Sequence, residues 1–241
     1  MAEAGGRPLV IAHRGAAAEA PENTIAAFEL ALAQGAELIG LDVRLTRDGH
    51  PVVIRDPVLD RTTDGRGPVA ARTMRELKRL DAGGWRGPVF RGQRLQSLQE
   101  VLERFRERAG FWIELPDAPP GGELEERVLA ALEIYDAVER SLLHPAGPES
   151  LRRLRAMSET AVLVGRGPGA LPPPGLVQGL SLPLDRAAAE ELGRVRAAGL
   201  AGYVWTVNEP ADMEGLLRAG ASGLLTERPA LLRARRDAAP A

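Results

Sequence analysis

Five side chains able to move a proton, hold a hard cation or grip a phosphate are spread thinly along this chain: His13, Arg14, Asp42, Arg55 and Glu114. A histidine exchanges protons near neutral pH, two carboxylates can hold Mg²⁺ or Ca²⁺ through oxygen, and arginine's planar fork matches phosphate oxygens. Together they suit phosphate-ester chemistry. Asp42 and Arg55 flank Asp48-Gly49 within the stretch GLDVRLTRDGHPVVIRDP, residues 40–57. Asp-Gly between two β-type runs is a strong hairpin signal, and a two-residue turn predicts Asp42 opposite Arg55 and Arg44 opposite Val53.

The elements that must position these groups alternate between strand-like and helix-like runs. PLVIA (8–12) precedes ENTIAAFELALAQGA (22–36), where Ile25, Phe28, Leu32 and Ala36 recur at helical spacing and Gly35 supplies a stop. LIGLDV (38–43) follows, then FWIEL (111–115) before ELEERVLAALEIY, and TAVLV (160–164). GYVWTV (202–207) leads into PADMEGLLRAGA, and GLL (223–225) into RPALLRA. The alternation predicts βα units and a parallel sheet, and the length suits a (β/α)₈ TIM-type barrel as a single domain over 1–241. An open doubly wound sheet would favour a Gly-x-Gly-x-x-Gly turn after the first strand, which HRGAAAEAPEN is not.

Two stretches break the rhythm. Residues 56–95, rich in Gly, Arg and Asp, read as a small insertion over one barrel mouth, with a short helix over 73–80. GRGPGALPPPG (165–175) reads as a proline-stiffened loop. ARTMRELKRL and RVLAALEI read as amphipathic surface helices of the barrel ring. In such a barrel, polar residues at strand C-termini converge on one mouth, and His13-Arg14 and Glu114 lie at such ends.

Composition narrows the function classes. A net charge of −2, from 31 basic and 33 acidic residues, produces no global field toward nucleic acid or an anionic membrane. Aromatics at 4% give little surface for stacking bases. Cysteine is absent, so disulfides, thiolate metal sites and thiol nucleophiles are excluded. The start MAEAGGRPLVIAH lacks the basic residues and long apolar run of a secretory signal, and no stretch reaches the ~18 apolar residues of a membrane span. A cytoplasmic soluble protein is the expectation.

At these residues the chain resembles the glycerophosphodiester phosphodiesterase family. The likeness runs through IAHRG (11–15), PENTIAAFELALAQGA (21–36), LDVRLTRDGHPVV (41–53) and DPVLDRTTDGRGPV (56–69), then RLQSLQEVL (94–102), FWIEL (111–115), YVWTVN (203–208) and GASGLLTERP (220–229). The resemblance implies a TIM-type barrel that cleaves glycerophosphodiesters to glycerol 3-phosphate and an alcohol with a divalent cation. It implies His13 as an acid–base group with Arg14 beside it, and Asp42 and Glu114 as metal ligands. Three positions depart from the pattern: Gly40 stands where a metal carboxylate is expected, Arg55 where a second histidine is expected, and Pro116 where a phosphate-contacting lysine is expected.

Each departure has a chemical consequence. Gly40 offers no ligand atom, and Arg55 keeps its proton and puts a fixed positive charge beside the cation's place. Arg55 can pair with Asp42 or Glu114, or clamp a phosphate directly, and it is assigned to substrate binding together with Trp205. For Trp205 the alternative is a core role, and for Asp42 and Glu114 it is ion pairing with Arg55. His50 belongs to a polar turn, and His144 is given no role. The expected function is a family phosphodiesterase of weak activity, with Mg²⁺ or Ca²⁺ if active and no cofactor otherwise. The alternative is a non-catalytic phosphodiester-binding or regulatory protein.

Overall fold

The computed structural model describes residues 6–116 and 122–238; the first five residues of the N-terminal stretch read above lie outside them. Among the described residues nine strands form in chain order: β1 Leu9–Ala12, β2 Leu38–Leu45, β3 Pro51–Val53, β4 Gly110–Leu115, β5 Ser141–Pro145, β6 Val162–Arg166, β7 Gly179–Pro183, β8 Ala201–Trp205 and β9 Gly223–Thr226. Eight α-helices accompany them there: α1 Ile25–Ala33, α2 Met74–Leu77, α3 Leu98–Phe105, α4 Glu123–Ile134, α5 Pro148–Met157, α6 Ala189–Ala197, α7 Pro210–Arg218 and α8 Pro229–Ala238. All strands but β3 run parallel in the order β1-β9-β8-β7-β6-β5-β4-β2, and β1 pairs with β2 to close the barrel. The (β/α)₈ architecture expected from the alternation is present.

Apolar residues fill both sides of the strands. Ile11, Leu38, Trp112, Leu142, Val164, Tyr203 and Leu225 pack together from seven strands as the barrel interior. Outside, Phe28, Leu102, Phe105, Val128 and Leu132 cover one arc of the sheet, while Val10, Val204, Met213, Leu216 and Leu232 belong to the other. Burial on both faces is why parallel strands read as continuous apolar runs.

α1 begins at Ile25, the first residue of the apolar spacing, because Thr24 is its N-cap and Asn23 before it takes a left-handed conformation (φ 57°). Asparagine tolerates that region better than most residues. The helix ends where predicted, with Gly35 at φ 84°.

The insertion between β2 and α3 has a small core of its own, in which Val52, Ile54, Leu59, Val69, Met74, Leu77 and Leu95 pack together. α2 belongs to this core, so its predicted place in the barrel ring is corrected: its apolar side has Met74 and Leu77, and Thr73 with Glu76 closes a capping box. α4 does lie in the ring, with Val128 and Leu132 buried against the sheet cluster. Between β6 and β7 there is no helix. Pro172, Pro173 and Pro174 lack the backbone donors a helix needs, and the stiffened loop read from the sequence takes its place.

The hairpin register differs from expectation by one residue. Val43 pairs with Val53, Arg44 with Val52 and Leu45 with Pro51. The Thr46 N–H donates to the His50 carbonyl, leaving Arg47, Asp48 and Gly49 as a three-residue loop, and Gly49 has φ 74°. A three-residue loop with glycine in the left-handed region is the next commonest hairpin connection. Asp42 therefore faces Ile54, whose N–H donates to the Asp42 carbonyl at 3.0 Å.

Candidate active site at the barrel mouth

His13, Arg14, Asp42, Arg55, Glu114, Pro116, Arg166 and Trp205 line one pocket of about 520 Å³, part of it open to solvent. All six side chains assigned to the site from the sequence are therefore brought together. The strand register explains much of this. Asp42 on β2 pairs with Glu114 on β4, and Glu114 pairs with His144 on β5, so three polar residues form one layer at the strand ends.

Asp42 is buried and has three neighbours. Asn23 Nδ2 donates to Oδ2 at 3.0 Å, and Asn23 Oδ1 accepts from the Asp42 N–H at 3.3 Å. Arg14 Nε lies 3.0 Å from Oδ2, near enough for an ion pair but not aligned as a hydrogen bond. Arg55 Nε lies 3.5 Å from Oδ1. The predicted Asp42–Arg55 meeting thus survives the register correction. β3 ends at Val53, so Arg55 is free of the ladder, and Arg44 Nε donates to its carbonyl at 2.8 Å to hold it there. Burial pushes the Asp42 carboxyl above its ordinary value, more than Arg14, Asn23 and Arg55 pull it back.

Glu114 is held more tightly. Trp112 Nε1 donates to Oε1 at 2.7 Å, His144 Nδ1 lies 2.7 Å from Oε2, and Arg166 Nη2 lies 3.3 Å from the same oxygen. Burial alone would raise this carboxyl, but His144, Trp112 and Arg166 outweigh it and lower it to about 2. An ionised carboxylate only accepts, so His144 carries its proton on Nδ1, and Nε2 meets Ser181 Oγ at 2.6 Å. The His144 ring also packs 5.0 Å from Trp112, centroid to centroid.

His13 is largely shut from solvent. Burial first, then the neighbouring Arg14 charge, lower it to about 4, so its imidazole is neutral at pH 7. Thr206 Oγ1 sits 3.1 Å from Nδ1, which leaves Nε2 as the nitrogen for a ligand. The turn carrying it is strained: Arg14 has φ 60° and Gly15 φ 83°. A Cβ at Gly15 would lie 2.6 Å from the Ala27 carbonyl carbon, so only glycine fits between β1 and α1. Arg14 also reaches Glu22 at 3.2 Å, and Arg61 of the insertion spans Glu22 at 2.7 Å and Asp56 at 2.6 Å. That chain of charges ties the insertion to the mouth.

Several of these groups carry little signal in the sequence. His144 has partners on β4 and β7 that are distant along the chain. Asn23 lies inside the stretch that reads as helix, and an Asn just before an N-capping Thr is its one local signal. Arg166 lies in a glycine- and proline-rich run. Trp205 lines the pocket as expected, and its buried Nε1 has no partner among the described residues.

The residues present can be tested against a divalent cation. Both oxygens of Asp42 and both of Glu114 already face protein donors, with two guanidiniums beside Asp42 and one beside Glu114. Gly40 adds nothing, and a Cβ there would lie 2.8 Å from the Ala12 carbonyl oxygen, so a carboxylate-bearing residue would require β1 and β2 to separate. Among the described residues no three acidic, histidine or cysteine side chains are grouped to hold a metal ion. As folded, neither carboxylate has an oxygen clear of protein donors, so Mg²⁺ or Ca²⁺, even with waters completing its shell, would have to displace Arg55 or Arg166 to reach them, and the donor set does not fit the ion.

The chain matches the profile of the glycerophosphoryl diester phosphodiesterase family over residues 13–231. It is 36% identical to a glycerophosphodiester phosphodiesterase of Caldanaerobacter subterraneus subsp. tengcongensis, over 94% of this chain and 96% of that one. Identity to a Bacillus subtilis glycerophosphodiester phosphodiesterase is 32%, over 93% of this chain and 85% of that one. Among solved structures, a glycerophosphodiester phosphodiesterase from Agrobacterium tumefaciens gives a TM-score of 0.85 at 30% identity, covering 94% of this chain and 99% of that one. An Oleispira antarctica phosphodiesterase in complex with the product sn-glycerol-3-phosphate gives 0.87 at 28% identity, covering 96% and 97%.

Proposed function

Because this chain belongs to the glycerophosphoryl diester phosphodiesterase family, we propose that its barrel mouth binds the phosphate of a glycerophosphodiester through guanidinium groups in place of a divalent cation, and cleaves it only slowly. The observation that carries this reading is the guanidinium on each carboxylate: Arg55 beside Asp42 and Arg166 beside Glu114. Three arginines and two carboxylates line the pocket, and with His13 neutral the lining carries one positive charge in excess. A phosphodiester carries one negative charge. The match needs no added ion.

Each residue then has a task. Arg14 lines the pocket with its guanidinium held against Asp42 and Glu22, and brings a fixed positive charge to the phosphate's place. Arg55 and Arg166 are half-exposed and can bridge from carboxylate to phosphate. Trp205 gives the same pocket an aromatic wall. His13, through Nε2, can take a proton from water or from the substrate's own hydroxyl. A base with a pKa of about 4 is a weak one at pH 7. Arg55 keeps its proton and cannot serve as the partner acid. Loss of one positioned acid–base group costs roughly 10²–10⁴-fold in rate. A non-catalytic binding role is the second reading, favoured by that missing partner.

The deciding measurement pairs calorimetric titration of sn-glycerol 3-phosphate with an assay for its release from glycerophosphocholine, each in EDTA and in excess Mg²⁺. Binding should be the same in both buffers, with turnover slow and equally indifferent to the metal. Turnover that collapses in EDTA and returns with Mg²⁺ overturns the proposal. Binding with no turnover at all selects the second reading.

A further inference from the structure

Beside the phosphate pocket runs a second, more apolar groove of about 900 Å³, again partly open to solvent. Ala146, Leu151, Pro172, Leu176 and Leu180 supply its apolar walls, from the turn after β5, the start of α5, the proline-stiffened loop and β7. Arg166 lines both cavities, so the groove opens directly off the site at the Glu114 corner. The loop that forms one wall is the segment standing where the barrel would otherwise place a helix between β6 and β7. Its prolines keep that wall open without exposing backbone donors to an apolar ligand.

We propose that this groove receives the second arm of the phosphodiester, and that the arm is apolar: an alkyl or acyl chain in place of a cationic head group. The inference rests on the phosphate-binding reading of the mouth given above. Two observations select the arm. The walls are aliphatic, with no aromatic ring to cage a quaternary ammonium. The only charged side chains lining the groove among the described residues are Arg152 and Arg166, both positive, and no carboxylate faces it. Choline or ethanolamine would meet repulsion there and no partner, whereas a hydrocarbon arm would replace water along the leucine and proline walls. Arg166 at the junction holds the phosphate end and separates the charged part of the ligand from the apolar part.

The test titrates the full chain with three probes in one buffer: sn-glycerol 3-phosphate, glycerophosphocholine, and the diester of glycerol phosphate with hexanol. The hexyl diester should bind about tenfold more tightly than glycerophosphocholine, the order expected for about two buried methylenes. Ala170→Trp, on the exposed part of the loop that lines the groove, should bring that ratio close to one in a protein whose circular dichroism matches wild type. Arg152→Glu, at an exposed position, should raise glycerophosphocholine affinity a few-fold and leave the hexyl diester behind. If sn-glycerol 3-phosphate binds while the two diesters bind alike, the apolar arm is wrong and the phosphate reading stands. A tenfold preference that persists in Ala170→Trp places the arm elsewhere and also overturns the inference. If sn-glycerol 3-phosphate does not bind, the reading of the mouth falls first, and the groove loses its ligand with it.

Discussion

Asp42 and Glu114 stand side by side on β2 and β4, each buried at its carboxyl and each with a guanidinium beside it, yet their proton affinities move in opposite directions. Burial raises Asp42. At Glu114 the same burial is overcome, and the carboxyl falls to about 2. The two differ in alignment more than in number of partners. Glu114 receives two contacts at 2.7 Å from Trp112 and His144, side chains fixed inside the barrel. Asp42 has one aligned side-chain hydrogen bond, from Asn23, and two guanidiniums that are close but off-axis or at 3.5 Å. One corner of the mouth is a rigid wall. The other can rearrange when an anion enters.

The largest effect should come from breaking the rigid corner. Glu114→Ala strands the Trp112 indole N–H and the buried His144 imidazole together, and should cost about 3 kcal/mol, the order seen when one partner of a buried ion pair is removed. Asp42→Asn keeps an acceptor for Asn23 and should cost about 1 kcal/mol or less. Chemical denaturation of both variants measures the contrast. Equal losses would mean that the two corners are equally fixed.

Acid should separate them in sign as well. Glu114 has a folded value of about 2 against an ordinary 4.5, so its contribution to stability is complete above pH 4.5 and is lost as pH falls toward 2. Asp42 is shifted upward from 3.8, so its contribution is complete below that value and is lost as pH rises through the folded value. His13 adds a higher window: lowered from 6.5 to about 4, it supports stability above pH 6.5 and withdraws that support as pH falls to 4. Glu114→Gln should flatten the stability profile between pH 4.5 and 2, and His13→Asn between 6.5 and 4, while Asp42→Asn should remove a term of the opposite slope. Denaturation midpoints across pH 2–7 would show it, and a profile unchanged in Glu114→Gln would remove the basis of the comparison.

The contrast between the corners was only half visible in the sequence. The flexible corner was legible because its parts are local: Asp42 and Arg55 flank one hairpin, and Arg14 ends the first strand. Even there a two-residue turn was expected, and the pair met because Arg55 lies beyond the strand, where its length outweighs the shifted register. The rigid corner depends on β4, β5 and β7 lying next to or near one another. Neither His144 nor Ser181 has a sequence neighbour that announces its partner, and Arg166 sits at the edge of a loop. Gly40 shows the same limit. Its missing carboxylate could be read directly, but the close approach of the Ala12 carbonyl that keeps a side chain out belongs to the packing of two strands.

A smaller effect should follow from the far end of the rigid corner. Ser181→Ala removes the hydroxyl that meets His144 Nε2 inside the barrel, leaving that nitrogen without this hydrogen bond while the Glu114 contact on Nδ1 is kept. A loss of about 1 kcal/mol is expected, the usual net value of one intramolecular hydrogen bond. Ser181→Thr, which keeps the hydroxyl, should recover part of it. If Ser181→Ala is neutral, the serine does not help hold the imidazole, and the fixity of Glu114 comes from Trp112, Arg166 and a His144 ring held by its packing on Trp112.

The smallest stability effect should come from the residue that drew attention first. Arg55→Ala deletes a charge, but that charge is half-exposed, stands 3.5 Å from Asp42, and leaves Arg14 and Asn23 in place. Ion pairs this open to solvent contribute about 0–1 kcal/mol, so the variant should be no less stable than Ser181→Ala. Its consequence should appear in ligand binding, where loss of one of the three guanidiniums lining the pocket should weaken sn-glycerol 3-phosphate by about tenfold, as expected for a charge-assisted hydrogen bond of roughly 1.5 kcal/mol. Measuring both on one preparation separates the roles. A destabilisation above about 2 kcal/mol with unchanged binding would assign Arg55 to the scaffold, and Asp42 would then belong to a wall as rigid as that of Glu114.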